Sequence, residues 1–599
     1  MIASLFNKPR YFVVRKPIKD RDGRPVTGVK ARVQNFVCAL EVKGQGHDGI
    51  SVNGDEVNVR YKGVWKSATD QNVKQVHALK AYFEHQHLDI FVYRCLVLDG
   101  INELPKAGNV EQPAAGAVPS GFSAGQLLAS MVGVNGIGKW SGEYQVSSAR
   151  NEVVRKALDA PIFKRVVPTR LDRARMDRIA ARRDEAERIG ALLGKQRVHI
   201  RGHGGTGKTV LMMQAAHHAY EAHGRRCLVL TYNSALAGDI KRLLVLLNVS
   251  SAYEGGGVEV RTVMSFVYAW LSKLGLQYEN GFENYEARCA EFLEMIEART
   301  ISPADIQSVI DQDPETFGYD AIIVDEAQDW PQPEARLLAA LYGGERVSIA
   351  DGREQLMRGK PTDWGKTLAA GQASDQLALA RCLRMKRNLG LFANTVARLA
   401  GLNWEIEPND EAAGGRVIVL TGSYADDARL VGKLLAEARE AGNDEVDFLH
   451  CVPPSNVLEI EGERSSALAS SLARMGHATW DGVNETARRD FPRSTDVFRV
   501  LQYDSSRGLE GWTTVLEHFD QAWEYKRKSW LAQATEKEAD APSDPARAAR
   551  LAAWRWCMIA LTRPMDTLVI SLSDPSSPAS EIIKRAAKEH SDFAETRDK

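Results

Sequence analysis

Residues 202–209, Gly-His-Gly-Gly-Thr-Gly-Lys-Thr, constrain this chain more than any other stretch. The apolar run Val198-His199-Ile200 before them predicts a strand, and Val210 to Ala216 after them predicts the start of a helix. Between a strand and a helix, glycines let backbone N–H groups curl around phosphate oxygens, and the helix N-terminus adds a favourable dipole. Gly202, Gly204, Gly205, Thr206 and Gly207 supply that cradle. Lys208 is placed to reach β- and γ-phosphates, and the Thr209 hydroxyl to hold Mg2+.

From this loop onward the pattern alternates strand and helix. Strands are predicted at 198–201, 227–232, 258–262, 321–324 and 347–350, with helices at 208–223, 235–246 and 333–341. That alternation is the mark of a parallel sheet covered by helices on both faces. A second series follows, with strands at 417–420, 446–449, 497–502 and 567–572 and a charged, Ala-rich stretch at about 521–550 that predicts an inserted helical arm. At 599 residues the chain is too long for a single core.

A formal net charge of −1 gives no overall basic field, so any nucleic-acid site must be a local groove. The basic stretch Arg155–Arg188 is one candidate; a solvated helix face or an interdomain strap is the alternative. The seven cysteines are scattered singly, which argues against a zinc site, an iron–sulfur cluster or a disulfide framework and suits a reducing compartment. No apolar run approaches the ~18 residues of a membrane helix. Lys8, Arg10, Arg15 and Lys16 interrupt the N-terminal apolar stretches, a poor match to a signal peptide. A soluble, cytoplasmic protein is the expectation.

The unbroken apolar run Ala321-Ile322-Ile323-Val324 predicts a strand buried on both faces, and Asp325-Glu326 stand at its carboxyl end, where ligands collect in such sheets. Asp325 is the candidate to hold Mg2+ through water, and Glu326 to orient or deprotonate an attacking water. With Ala327-Gln328-Asp329 these residues resemble the second motif of superfamily 1 helicases of the UvrD/Rep type. Other stretches resemble further motifs of that family in the family's order: 228–236 (Ia), 262–266 (Ic), 350–356 (III), 384–388 (IV), 505–510 (V) and 560–563 (VI). The resemblance covers roughly residues 195–575. It implies two RecA-like lobes with ATP and Mg2+ between them, the first over 166–375 and the second over 376–599. It implies Gln355 on the γ-phosphate, Gln328 and Glu510 as nucleotide contacts, and Arg387, preferred to Arg384, with Arg563 reaching across as arginine fingers. Single-stranded DNA, RNA not being excluded, would cross the tops of both lobes on Tyr232, Asn233, Ser265, Phe266 and Ser505, with Trp364 as a stacking candidate.

Three features depart from the family. No adenine-reading Gln is evident upstream of the loop, where Ala181-Arg182-Arg183-Asp184-Glu185 stands. Arg507 replaces the usual Lys, and the spacing between motifs leaves little room for the large insertions that help separate strands. Translocation is therefore the firmer expectation than unwinding.

The first 105 residues read as a separate α+β domain, with a connector over 106–165 where Gly, Pro, Ala and Ser accumulate. Strands are predicted at 11–14, 33–43 and 91–98 and a helix at 70–84. Glu41 and Lys43 share one face of a strand, about 6.6 Å apart, as a metal-binding carboxylate and its ammonium partner would in a restriction-endonuclease-like site. With the run Trp65–Gln75 they resemble the nuclease-related domain called NERD. A nuclease needs a further acidic ligand for Mg2+; Asn35 lies about 20 Å from Glu41 along the strand, leaving Asp20 and Asp22. The combined expectation is an ATP-driven translocase or helicase, 3′ to 5′ by analogy, coupled to a nuclease-like domain. The alternatives are a nucleotide-gated switch whose degenerate first domain binds a protein partner, nucleic acid or another copy, and a nuclease that the motor merely feeds.

Overall fold

In the computed structural model the chain forms two compact units, Met1–Arg165 and Val166–Lys599. All residues are described except 1, 15–17, 20–24, 27, 54–55, 62–63, 105–115, 135–138, 141–142, 159–166, 181–182, 248, 252–256, 277–284, 353–361, 365–373, 380–381, 461, 493, 536–543 and 598–599.

The first unit is organised by the long strand Val29–Lys43. It pairs antiparallel with Ile2–Val14 and parallel with both Glu143–Val146 and Val92–Leu98. Asn35, Phe36, Val37, Cys38 and Ala39 are all buried, as expected of a strand covered on both faces. The connector predicted over 106–165 is instead part of this unit. Ala117–Pro119 pairs with Val92–Leu98, Glu143–Val146 joins the central strand, and Met131, Val154 and Ala157 are buried from two short helices. A three-stranded antiparallel sheet (50–53, 56–61, 64–67) leads into the helix Ala68–His85, capped by the Ser67 hydroxyl.

The second unit contains two all-parallel sheets, one per lobe. In the first lobe the spatial order is 257–262, 226–231, 321–324, 347–352, 197–202, 374–379. Ser374–Leu379 closes this sheet, so the lobe boundary falls a few residues beyond 375. The second lobe runs 479–481, 498–502, 448–452, 511–516, 564–572, 416–421, 594–597. The strand expected at 446–449 begins at 448, because Glu445–Asp447 form a single 3-10 turn locked by a capping box on Asp444. The expected helical arm is two helices, Phe519–Thr535 and Pro545–Leu561, folded onto the lobe. Trp523 and Trp554 are buried with ring centroids 6.0 Å apart, so the pair packs through its aromatic faces.

Helix Arg170–Ala180, from the basic stretch, is a strap across both lobes. Asp172 pairs with Arg242 (2.6 Å) and Arg175 pairs bidentately with Asp239 (2.6 and 3.1 Å), both on the first-lobe helix Ser234–Leu246. The Thr169 hydroxyl donates to Asp447 (2.9 Å), Leu171 N to the Asn443 side chain (2.9 Å) and Arg178 to Glu510 (2.5 Å), all in the second lobe. The solvated-face alternative is thereby set aside for this helix. Among the described residues no helix is long and apolar enough to cross a membrane.

Candidate nucleotide site

The loop at 202–209 joins strand Arg197–Gly202 to helix Lys208–His223. Gly205 (φ 84°) and Gly207 (φ 87°) adopt left-handed backbone that a side chain would oppose. A Cβ at Gly205 would also sit 2.8 Å from Cys382 Sγ, because the loop touches the opposite lobe. The amides of Leu383 and Arg384 donate to the Gly205 carbonyl at 3.0 and 3.2 Å. Lys208 is buried, its ammonium donating to the carbonyls of Gly202 (2.9 Å) and His203 (3.1 Å).

Thr209 and Asp325 meet across the sheet top: the hydroxyl donates to both carboxylate oxygens, at 3.1 and 3.0 Å. Burial, then the neighbouring Glu326 charge, pushes Asp325 up to about 6. Burial also acts on Glu326, but the Arg507 and Lys208 charges outweigh it and hold this carboxyl at about 2. Glu326 takes a left-handed backbone (φ 52°), uncommon outside glycine and of the kind that collects at functional sites. Its Oε2 accepts from Gln328 Nε2 (2.7 Å), while Gln328 Oε1 accepts from Gly352 N (2.7 Å). A hard oxygen donor pair beside a glycine cradle and a buried ammonium fits a Mg2+–triphosphate.

The second lobe lines the same cleft, with Arg384, Gly508, Glu510 and Arg563 facing Lys208, Thr209 and Glu326. Arg563 is 2% exposed and bonds to Ile559 O (2.7 Å), Leu509 O (3.4 Å) and the Thr562 hydroxyl (3.0 Å). Arg384 donates to Thr562 O (3.0 Å) and pairs with Glu510 (3.1 Å). Burial lowers the pKa of both Lys208 and Arg563, and the Arg384 and Arg507 charges lower them further. A polyanion between these groups relieves that repulsion.

Several expectations need correction. Arg387, preferred as the motif IV arginine, is 51% exposed and pairs with Asp410 (2.9 Å), since it begins the helix Arg387–Leu399; Arg384 lines the cleft instead. Phe266 is 1% exposed, wedged against Tyr319 and Tyr342, and Trp364 is 3% exposed, its indole donating to Ala327 O (2.8 Å). Both are core aromatics, not stacking platforms. Asn233 caps the helix Ser234–Leu246 and donates to the carbonyls of Ser505 (2.9 Å) and Arg507 (2.8 Å), tying lobe to lobe. Ser505 is buried and accepts from Arg488 (2.8 Å). Tyr232 is half-buried edge-on to Trp330, and only Ser265 is exposed. Gln355 lies outside the described residues. Arg507, noted in the sequence only as a departure from the family, pairs with Glu326 (2.9 Å) and Asp329 across the lobes, a contact the sequence did not foretell.

In the first unit, Lys43 is 2% exposed and pairs with Glu41 (3.0 Å). The helix Ala68–His85 brings two unforeseen partners one turn apart: Gln71 accepts from Lys43 (2.7 Å) and Gln75 donates to Glu41. Their i, i+4 spacing was the available signal. Asn35 is buried, accepting from the Ser147 hydroxyl (3.0 Å) and donating to Ala149 O. Asp20 and Asp22 lie outside the described residues, and among the described residues no cluster of three metal-ligating side chains occurs.

No protein-family model matches this chain, and no curated protein matches it. Among solved structures it is similar to the arterivirus nonstructural protein 10 (helicase) in complex with DNA, at 13% identity and a TM-score of 0.26. The match covers 67% of this chain and 65% of that one, less than two thirds of the viral protein. So loose an overlap assigns no fold.

Proposed function

We propose that this chain is an ATP-dependent translocase on single-stranded DNA, of superfamily 1 type, with two RecA-like lobes and a NERD-like nuclease-related first unit. Its setting is DNA repair or defence against foreign DNA. The observation that carries the reading is the single cleft in which Lys208, Thr209 and Glu326 of one lobe face Arg384 and Arg563 of the other. A Mg2+ held in such a site would supply positive charge against the phosphates. Thr209 and Asp325 hold the metal, Lys208 grips the terminal phosphates, and the two arginines meet the charge from the far side. Because they belong to different lobes, their grip couples the state of the phosphate to lobe closure. Arg507 and Asn233 carry that coupling toward the face on which a strand would lie.

Hydrolysis by the full chain, measured with single-stranded DNA, RNA or neither, tests the motor. Stimulation by DNA is expected, and equal turnover with and without polynucleotide contradicts it. Displacement of streptavidin from end-labelled strands distinguishes a translocase, which accelerates it, from a nucleotide-gated switch, which does not. The switch reading draws on Asn233 and Ser505, which are engaged between lobes rather than open to a strand. In the first unit, Glu41 is the proposed Mg2+ ligand for cleavage with Lys43 beside it, and the unit also offers a face for a protein partner or a second copy.

A further inference from the structure

A second, narrow recess is lined by Arg178, Val210, Leu211, Gln214, Leu383 and Glu510. It shares Gly205, Gly207, Val210 and Glu510 with the phosphate-loop cleft, so the two form one trough. A triphosphate gripped at Lys208 and Thr209 therefore extends its base end here. Val210, Leu211 and Leu383 supply apolar walls for a flat ring. The polar edge is Arg178, brought here by the strap helix.

Glu510 holds that guanidinium in place at 2.5 Å and is itself shared with Arg384 (3.1 Å) and Arg175 (4.0 Å). The carboxylate is thus committed to three cations and is a poor acceptor for an amino group of the base. Arg178 Nη2 is spent on Glu510, while its Nη1 is buried without a hydrogen-bond partner among the described residues. A guanidinium has donors only. The base edge that satisfies it must offer acceptors: guanine and hypoxanthine present N7 and O6 together, whereas adenine presents N7 beside an amino donor. The Gln214 amide has both a donor and an acceptor and so suits either purine.

We propose that Arg178 is the base-reading residue of this site and that the chain takes 6-oxopurine triphosphates at least as well as ATP. This rests on the nucleotide reading above and names its substrate class.

The test is kcat/KM of the full chain for ATP, GTP, ITP and 7-deaza-GTP with Mg2+ and single-stranded DNA, repeated for Arg178→Ala and Arg178→Lys. GTP and ITP are expected to equal or exceed ATP, with 7-deaza-GTP about tenfold below GTP, the worth of one hydrogen bond to a charged group. Arg178→Ala should erase the gap between GTP and 7-deaza-GTP, and Arg178→Lys should restore part of it. A wild-type preference for ATP of more than about tenfold, the order of one such bond, overturns the proposal. So does an Arg178→Ala loss equal for every nucleotide, the mark of a sugar, phosphate or folding role. Should the variants not fold, the wild-type comparison decides: GTP and ITP at or above ATP together with a loss for 7-deaza-GTP supports the proposal, and a loss for 7-deaza-GTP with ATP preferred overturns it. No turnover with any nucleotide overturns the nucleotide reading and this inference with it.

Discussion

At the scale of single residues, which arginine reaches the cleft is decided by where a helix begins. The run Arg384-Met385-Lys386-Arg387 offers two guanidiniums three residues apart, and only the family resemblance favours Arg387. The helix starting at Arg387 turns that side chain to solvent, while the bend before it lays Arg384 against the glycine loop. Arg384→Ala is accordingly expected to lower DNA-stimulated kcat by about 10³-fold, the low end of an arginine-finger effect. Arg387→Ala should change it little, its exposed pair with Asp410 contributing about 1 kcal/mol at most to stability. Parallel initial-rate measurements on the two variants check the assignment; the reverse ranking would restore Arg387. The loop and the Asp325-Glu326 pair were legible beforehand because their spacing is tied to a strand end and a helix start. The Arg507 pairing was not, since its partners lie 178 or more residues away in the chain.

Among the elements, the strap helix and the aromatic cores decide how the lobes are held. Asp172 and Arg242 are both buried, so Asp172→Ala leaves a guanidinium without its carboxylate and is expected to cost about 3–5 kcal/mol. A melting temperature unchanged by that substitution would show that the strap is not part of the lobe packing. Asp447, which accepts the strap's Thr169 hydroxyl, is pushed up to about 6 by burial, against the opposing pull of the Asp444 amide and Arg499. A carboxyl raised on folding favours the native state fully below its unfolded value near 4, and that contribution is lost as pH rises through about 6. Asp447→Asn should therefore flatten the part of the stability profile between pH 4 and 6, as read by denaturant unfolding. An unchanged slope would place the titration elsewhere. Phe266→Ala should cost about 3–5 kcal/mol, as for a large core aromatic; a loss of DNA affinity without destabilisation would return Phe266 to the strand-binding face. Motif resemblance located this phenylalanine and the buried Trp364 without giving their depth, which depends on Tyr319, Tyr342 and Trp330 arriving from other elements.

Taken whole, the chain joins a unit bearing Glu41 and Lys43 to one bearing the phosphate loop. The alternating pattern disclosed both parallel sheets, yet it missed the strands at 374–379, 511–516 and 594–597 and misread 106–165 as a connector. Short strands among small residues carry too little periodicity to stand out. If the first unit cleaves, Glu41→Ala should abolish Mg2+-dependent DNA cleavage and leave DNA-stimulated hydrolysis intact; persisting cleavage would remove Glu41 from the reaction. One crevice gripping a triphosphate from both sides should be visible in a crystal structure of the full chain with Mg2+ and an ADP–metal fluoride mimic of the transferring phosphate. Fluorides are expected within about 3 Å of Lys208 Nζ and of the Arg384 and Arg563 guanidiniums, with the metal on Thr209 and Asp325. A mimic bound by first-lobe residues alone, both arginines turned away, would contradict that two-sided grip.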